Sequence, residues 1–305
     1  MFVSVLINNY NYGDYLEAAV ASVLGQSHQD FEIILVDDGS QDRSPDLIKE
    51  LARRDSRLVP CLKDNGGQLS AFNAGYVQAQ GEVLFFLDAD DVYHADYLEK
   101  ALAVYREHTR CDFLFCGYEC FGNVNEPVLL DYPDAVTDLG YTGLLTYHCR
   151  TWIGAPTSTL SLRRSLAQRF FPIPFEEDWR IRADDCLVWL ASLYNGRKFC
   201  LNAPCLGYRT HGSNHFFGRA KDRGAEFCRN VNAARLVARV AEDLGQYRYL
   251  GGEELARFLL KEAATGQKNR VLLKKYAPLL KSLSPKSIWP RNRKLARIMS
   301  KAPLP

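Results

Sequence analysis

No stretch of the 305-residue chain approaches the run of roughly 18 apolar residues that a membrane-spanning helix needs. The opening MFVSVLINNYNYG passes straight into a strand-like segment, without the layout of a secretory leader. Together these absences lead to the expectation of a cytoplasmic protein. No CxxC pair occurs among the nine cysteines (Cys61, Cys111, Cys116, Cys120, Cys149, Cys186, Cys200, Cys205 and Cys228), and their number is odd. Disulfide frameworks and zinc sites both rest on regular spacing, so buried free thiols are expected. Neither GxGxxG nor GxxxxGK[ST] is present after the first strand-like run, which excludes a dinucleotide-binding Rossmann enzyme and a P-loop enzyme. Acidic residues are missing after Glu262, where eleven lysines and arginines follow. The net charge of +2 therefore hides an acidic body, 27 basic against 36 acidic residues, joined to a basic tail. Internal repeats and low-complexity segments are also lacking.

What is present is ordinary globular composition, 47% hydrophobic and 24% charged, in a chain long enough for one large domain or two small ones. Apolar runs at Phe2–Ile7, Phe31–Val36, Arg57–Leu62, Glu82–Leu87 and Cys111–Tyr118 alternate with amphipathic stretches near 14–26, 44–55, 67–80 and 94–108. Such alternation predicts βαβ units and an α/β fold with a mostly parallel central sheet. Residues 120–175 are rich in turn signals. A helix is expected over Asp184–Gly196, then one or two strands within Lys198–Asn214, and helical structure from about 220.

Ligands of such sheets sit beyond the carboxyl ends of the strands, and the polar residues gather there. The first four runs are followed by NNYNYG, DDGSQD, KDNGGQ and DADD. In the last, Asp88, Asp90 and Asp91 follow five apolar residues. Two carboxylates about 4 Å apart repel by about 4 kcal/mol at an effective dielectric of about 20, so a cation or water is needed. Positions two apart on an extended chain share a face, which lets Asp88 and Asp90 meet different parts of one ligand. A hard divalent cation is held by one or two carboxylates together with substrate phosphates. The other reading is a solvated helix start, and Asp91 suits such a cap. In VDDGS, Asp37 is placed either to accept from a nucleoside or to cap the next helix. NGGQLSAFNAG puts glycines before a helix carrying Gln68 and Asn73, and the amides of a helix start suit phosphate.

The segments INNYNYGDYLEAAVASVLGQSHQDFEIILVDDGSQDRS, NGGQLSAFNAG, GEVLFFLDADD, ADDCLV and YRTHGSN together resemble the family-2 glycosyltransferases, inverting enzymes of the GT-A fold. The likeness is continuous over residues 1–120 and thinner over 150–215. It implies a catalytic domain over 1–219, with a nucleotide-sugar half (1–120) and an acceptor half (121–219); the likeness ends near 220, and the helical pattern beyond it is read as a separate helical region at 220–305. It places Asn8, Tyr10 and Asn11 around the nucleotide, Asp37 with Asp38 on the base, Asn65, Gln68 and Asn73 nearby, and Asp88 toward the ribose. Asp90 falls on the metal position, for Mn²⁺ or Mg²⁺. His211 follows the last core strand, where such enzymes complete the metal site. A surface histidine is the plain alternative, and Arg209 is placed to meet a diphosphate. The general base of the family is an acid at a helix start, which implicates Asp185 first and Asp184 second. The implied reaction carries a sugar from a UDP-sugar to a saccharide or lipid-linked acceptor in cell-surface polysaccharide or glycolipid synthesis.

Two rivals are weakened by residues. A sugar nucleotidyltransferase needs a glycine-rich basic loop where this chain has NNYNYGDY, and a non-catalytic scaffold would be expected to lose acids from Asp37, Asp88, Asp90 or Asp185. The tail from Lys268 to Lys301 mixes its charges with leucines, Tyr276 and Trp289. It reads as a peripheral membrane contact or as a helix packed on the body with a solvated basic face. Nucleic acid is not an expected partner, because no recognised module accompanies the charge.

Overall fold

The structure, a computed structural model, describes residues 1–149, 151–212 and 223–244. The chain runs β1 (Val3–Asn9), α1 (Gly13–Leu24), β2 (Phe31–Asp38), α2 (Ser44–Arg54), β3 (Leu58–Lys63), α3 (Gln68–Gln78) and β4 (Val83–Asp88). It continues through β5 (Val92–Tyr93), α4 (Tyr97–Glu107), β6 (Phe113–Gly122), β7 (Glu126–Val128), β8 (Val136–Tyr141) and α5 (Gly143–Cys149). Then come β9 (Leu160–Arg163), α6 (Arg164–Ala167), α7 (Ala183–Leu193), β10 (Arg197–Thr210) and α8 (Arg223–Asp243).

These strands form one mixed sheet in the order β3-β2-β1-β4-β9-β6-β10-β5, with β7 on β6 and β8 on β10. β3, β2, β1 and β4 are mutually parallel, as are β6 and β10. β9 runs antiparallel between β4 and β6. Successive side chains of a strand point to opposite faces, and the central strands bury both. Val5, Ile7, Ile33, Leu35, Phe85 and Leu87 pack with Leu16, Ile48 and Leu98 of α1, α2 and α4. Leu6, Ile34, Val36, Leu84 and Phe86 pack with Phe72 of α3, Leu187 of α7 and Leu236 of α8. Burying each such side chain contributes about 1.5–3 kcal/mol. That two-sided burial is why the strand sequences are continuously apolar rather than alternating.

Register then fixes the functional rim. Asn8 lies level with Asp88, Asn9 with Asp37, and Asp38 with Lys63. All nine cysteines are free, and six of them are buried. The expected cap by Asp91 is not made: α4 begins six residues later, at Tyr97, because β5 intervenes and pairs with β10. The expected boundary at residue 219 and the basic stretch from Lys268 lie outside the described residues. Among the described residues no helix is long and apolar enough to cross a membrane.

Among the described residues β9 is the only strand between the two parallel groups, and Leu162 in it is fully buried. Leu162→Ala should cost about 2–5 kcal/mol, whereas Leu129→Ala, at a side chain 59% exposed, should stay within about 0.5 kcal/mol of the parent. Urea unfolding midpoints of the two variants check the contrast.

Candidate active site

The loops after β1 and β2 are stitched to each other. Asp37 accepts from Asn9 Nδ2 at 2.8 Å and from the Ser40 amide at 3.0 Å. Ser40 Oγ accepts from the Asn11 amide, and Asn11 Oδ1 from the Gln41 amide, each at 2.8 Å. Asn11 sits at φ +59°, a left-handed conformation that asparagine tolerates, and Tyr10 beside it is 47% exposed. Asp38 gathers the next loop: it accepts from Lys63 Nζ at 2.7 Å, the Gly66 amide at 2.9 Å, the Gly67 amide at 2.7 Å and Asn65 Nδ2 at 3.2 Å.

The start of α3 differs from the phosphate cradle expected of it. With the Gly66 and Gly67 amides on Asp38, the next amide, of Gln68, donates to the Arg180 carbonyl at 2.8 Å. Gly67, at φ +89°, is crossed so closely that a Cβ there would lie 2.4 Å from Arg180 Cα. Gln68 itself becomes a bridge. Its Nε2 donates to Asp88 Oδ1 at 3.1 Å, while its Oε1 accepts from the Ala183 amide, at the start of α7, at 2.9 Å. Asn73 does not join this rim: its side chain donates to the Ile173 carbonyl and to Glu176 and accepts from the Ile173 amide.

The DADD acids divide their tasks. Asp88 Oδ1 also accepts from Asn8 Nδ2 at 2.8 Å, and burial, with the charge of Asp90, pushes its carboxyl up to about 6. Asp91 is buried, accepting from Ser158 Oγ at 2.6 Å and the Arg209 amide at 2.8 Å. Asp90 Oδ2 stands 3.0 Å from His211 Nε2. The His211 ring stacks on Tyr15 at 5.1 Å and meets the edge of Tyr12 at 5.7 Å. Arg209, expected at a diphosphate, donates through Nε to the Asp90 carbonyl at 2.8 Å, and its guanidinium packs over Tyr15 and Phe121.

Among the described residues there is no group of three or more His, Cys, Asp or Glu side chains able to hold a metal. The oxygen and imidazole pair of Asp90 and His211 suits a different arrangement, in which Mg²⁺ or Mn²⁺ draws its other ligands from water and substrate phosphate.

The two acids of α7 have unlike surroundings. Asp185 is fully buried, and both its oxygens are taken: Arg229 donates Nε to Oδ2 at 2.6 Å and Nη2 to Oδ1 at 2.8 Å, and Arg182 Nε adds a third bond at 3.1 Å. Asp184 keeps partial exposure. Its carboxyl is pushed up to about 7, first by desolvation, then by the charges of Asp185 and Asp88. Reasoning from local motifs missed Arg229 and Ser158, which no spacing announces. It also missed Arg182, whose place three residues before Asp185 was the available signal.

The profile of Glycosyl transferase family 2 matches residues 4–170, just over half of the chain. The chain belongs to this family. An uncharacterized glycosyltransferase of Nostoc sp. is 35% identical over 231 residues, 72% of this chain and 68% of that protein. A Bacillus subtilis glycosyltransferase named for teichuronic acid biosynthesis, TuaG, is 38% identical over 143 residues, covering 44% of this chain and 56% of TuaG. The crystal structure of S. aureus TarS residues 1–349 in complex with UDP-GlcNAc is 20% identical and superposes with a TM-score of 0.62, covering 99% of this chain and 79% of that one. The fold is thus the GT-A fold, and the protein is a glycosyltransferase.

Asn73 gives a prediction. Because its amide ties α3 to residues 173–176, Asn73→Ala should lower stability by about 1–3 kcal/mol. Thermal unfolding of the variant against the parent checks this.

Proposed function

We propose that this glycosyltransferase moves a sugar from a UDP-sugar to an acceptor hydroxyl, with inversion at the anomeric carbon, in the assembly of a cell-surface polysaccharide. The observation that carries the reading is the Gln68 bridge, which sets the donor-side carboxylate Asp88 and the acid-bearing start of α7 one side chain apart. The UDP assignment is supported by the TarS structures with UDP-GlcNAc and UDP, and the polysaccharide assignment by TuaG's name. A lipid-linked acceptor and a peripheral membrane contact through residues 268–301 belong to the same proposal.

In this reading Asn8, Tyr10, Asn11, Asp37 and Asp38 shape the nucleoside pocket, and Asp88 receives the ribose. Asp90 and His211 would hold Mn²⁺ or Mg²⁺, which when bound would supply Lewis-acid stabilisation of the departing diphosphate. The acceptor hydroxyl must lose its proton during attack. A base for that step needs access to substrate and a carboxyl that is ionised yet still basic near neutral pH. Asp184 meets both conditions. Asp185, whose oxygens are committed to Arg229 and Arg182, instead holds the helix start in place.

Asp184→Asn should lower transfer by about two to four powers of ten, the usual worth of a general base, while UDP binding stays within a few-fold; full turnover would remove Asp184 from the role. Asp90→Ala should abolish the Mn²⁺-dependent part of UDP binding measured by calorimetry. The pH dependence has a definite sign. Only ionised Asp184 accepts a proton, and its carboxyl is raised to about 7. Turnover should therefore climb about tenfold per pH unit well below 7 and level off above it. An acid limb centred near pH 4 would contradict the assignment.

A further inference from the structure

α7 carries Asp184 and Asp185 in its first turn, yet the residue that opens it does not cap it. That residue is Arg182, held at φ +63°. An arginine side chain has donors only, and it makes no capping bond to the unpaired amides of the helix start. The acceptor comes from α3 instead. Gln68 Oε1 takes the Ala183 amide at 2.9 Å, and Ala183 is fully buried. A backbone N–H can only donate, so it must face the oxygen of the Gln68 amide. The NH2 group is thereby turned onto Asp88 Oδ1 at 3.1 Å and Thr157 Oγ1 at 3.4 Å. The main chain of Gln68 is fixed as well, its amide donating to the Arg180 carbonyl at 2.8 Å. Asn8 offers a contrast. Its Nδ2 reaches the same Asp88 oxygen at 2.8 Å, but its Oδ1 is buried without a partner among the described residues, so the chain of bonds ends there.

We infer that Gln68 is a positioning residue of the transfer reaction: it supplies from α3 the cap that Arg182 does not give α7, and it ties that cap to Asp88, so that occupancy of the nucleotide-sugar site is transmitted to the helix start bearing Asp184. The inference rests on the reading of Asp88 as the donor-side acid and Asp184 as the base. Side-chain caps ordinarily come from the residue that opens the helix. A cap lent by another element makes the placement of the helix depend on that element, and its loss leaves a buried donor unpaired. A ligand hydroxyl on Asp88 immobilises the carboxylate to which the Gln68 NH2 group is bonded, and so holds the Gln68 oxygen more firmly on Ala183. Coupling of this kind is one free energy shared by two sites. The acid that takes the acceptor's proton is thus set in place when the donor is bound.

The test reads amide exchange by ¹⁵N NMR in the full chain, first without ligand and then with saturating UDP and Mg²⁺. In the parent, UDP should slow exchange at Ala183 by about fivefold or more. In Gln68→Met, ligand-free exchange at Ala183 should rise by about tenfold or more, and UDP should no longer slow it. Leu187 to Leu193 should keep their parental rates in that variant, which a general loss of stability would not allow. Asn8→Ala removes the other amide on Asp88; there, exchange at Ala183 should stay within about twofold of the parent and slow on saturation with UDP as before. Should Gln68→Met fail to fold, Gln68→Asn keeps an amide that is one methylene too short to span both partners, and the UDP response at Ala183 should again be lost. A parental rate at Ala183 in folded Gln68→Met, an Ala183 rate in the parent that ignores bound UDP, or a UDP response that survives in either Gln68 variant would overturn the inference. Calorimetry keeps the two readings apart: a parent that binds no UDP sinks the proposed function, while the ligand-free exchange rates still judge the cap.

Discussion

Seven carboxylates, those of Asp37, Asp38, Asp88, Asp90, Asp91, Asp184 and Asp185, converge on one rim of the sheet, and their mutual repulsion has to be met by the protein around them. The chain meets it unevenly. Asp37, Asp38 and Asp91 are turned inward onto amides, hydroxyls and Lys63. Asp185 is matched by two guanidinium groups. Burial and neighbouring charge raise the carboxyls of Asp88, Asp91 and Asp184 alike. In the proposed reaction, Asp88 and Asp184 are the ones that meet substrate, whereas Asp91 is held by Ser158 and the Arg209 amide.

Much of this was legible in the sequence, for a definite reason. Strands buried on both faces read as unbroken apolar runs, and the helices between them are amphipathic, so β1 to β4 and β6 fall within a few residues of where the pattern puts them. The polar residues after each run could be named because a parallel sheet places all those ends on one side. β9 was not legible. Four residues, LSLR, carry too little pattern, and their place between β4 and β6 is set by contacts with strands about 50 to 80 residues away in sequence.

Within the site, the sequence showed which side chains are chemically apt, while their partners come from far along the chain. The Gln68 amide that opens α3 is claimed by a segment that returns to residue 180, and Asn73 by one that returns to residue 173. Asp184 and Asp185 are adjacent in sequence and equivalent in type. Their surroundings are separated by Arg182, three residues before Asp185, and by Arg229, 44 residues after it, both of which bond Asp185. Gln68 illustrates the same principle within one side chain, since a single amide spans the donor-side acid and the acid helix.

The position of β9 has a bearing on biosynthesis. β4 and β6 leave the ribosome first, but neither has its neighbour until Leu160–Arg163 has emerged. During that interval both present unpaired, strongly apolar strand margins, the kind of surface that recruits other chains. A nascent or truncated polypeptide ending before β9 would therefore be a client for chaperones rather than a small functional domain, even though it already contains DADD and the whole first βαβ series.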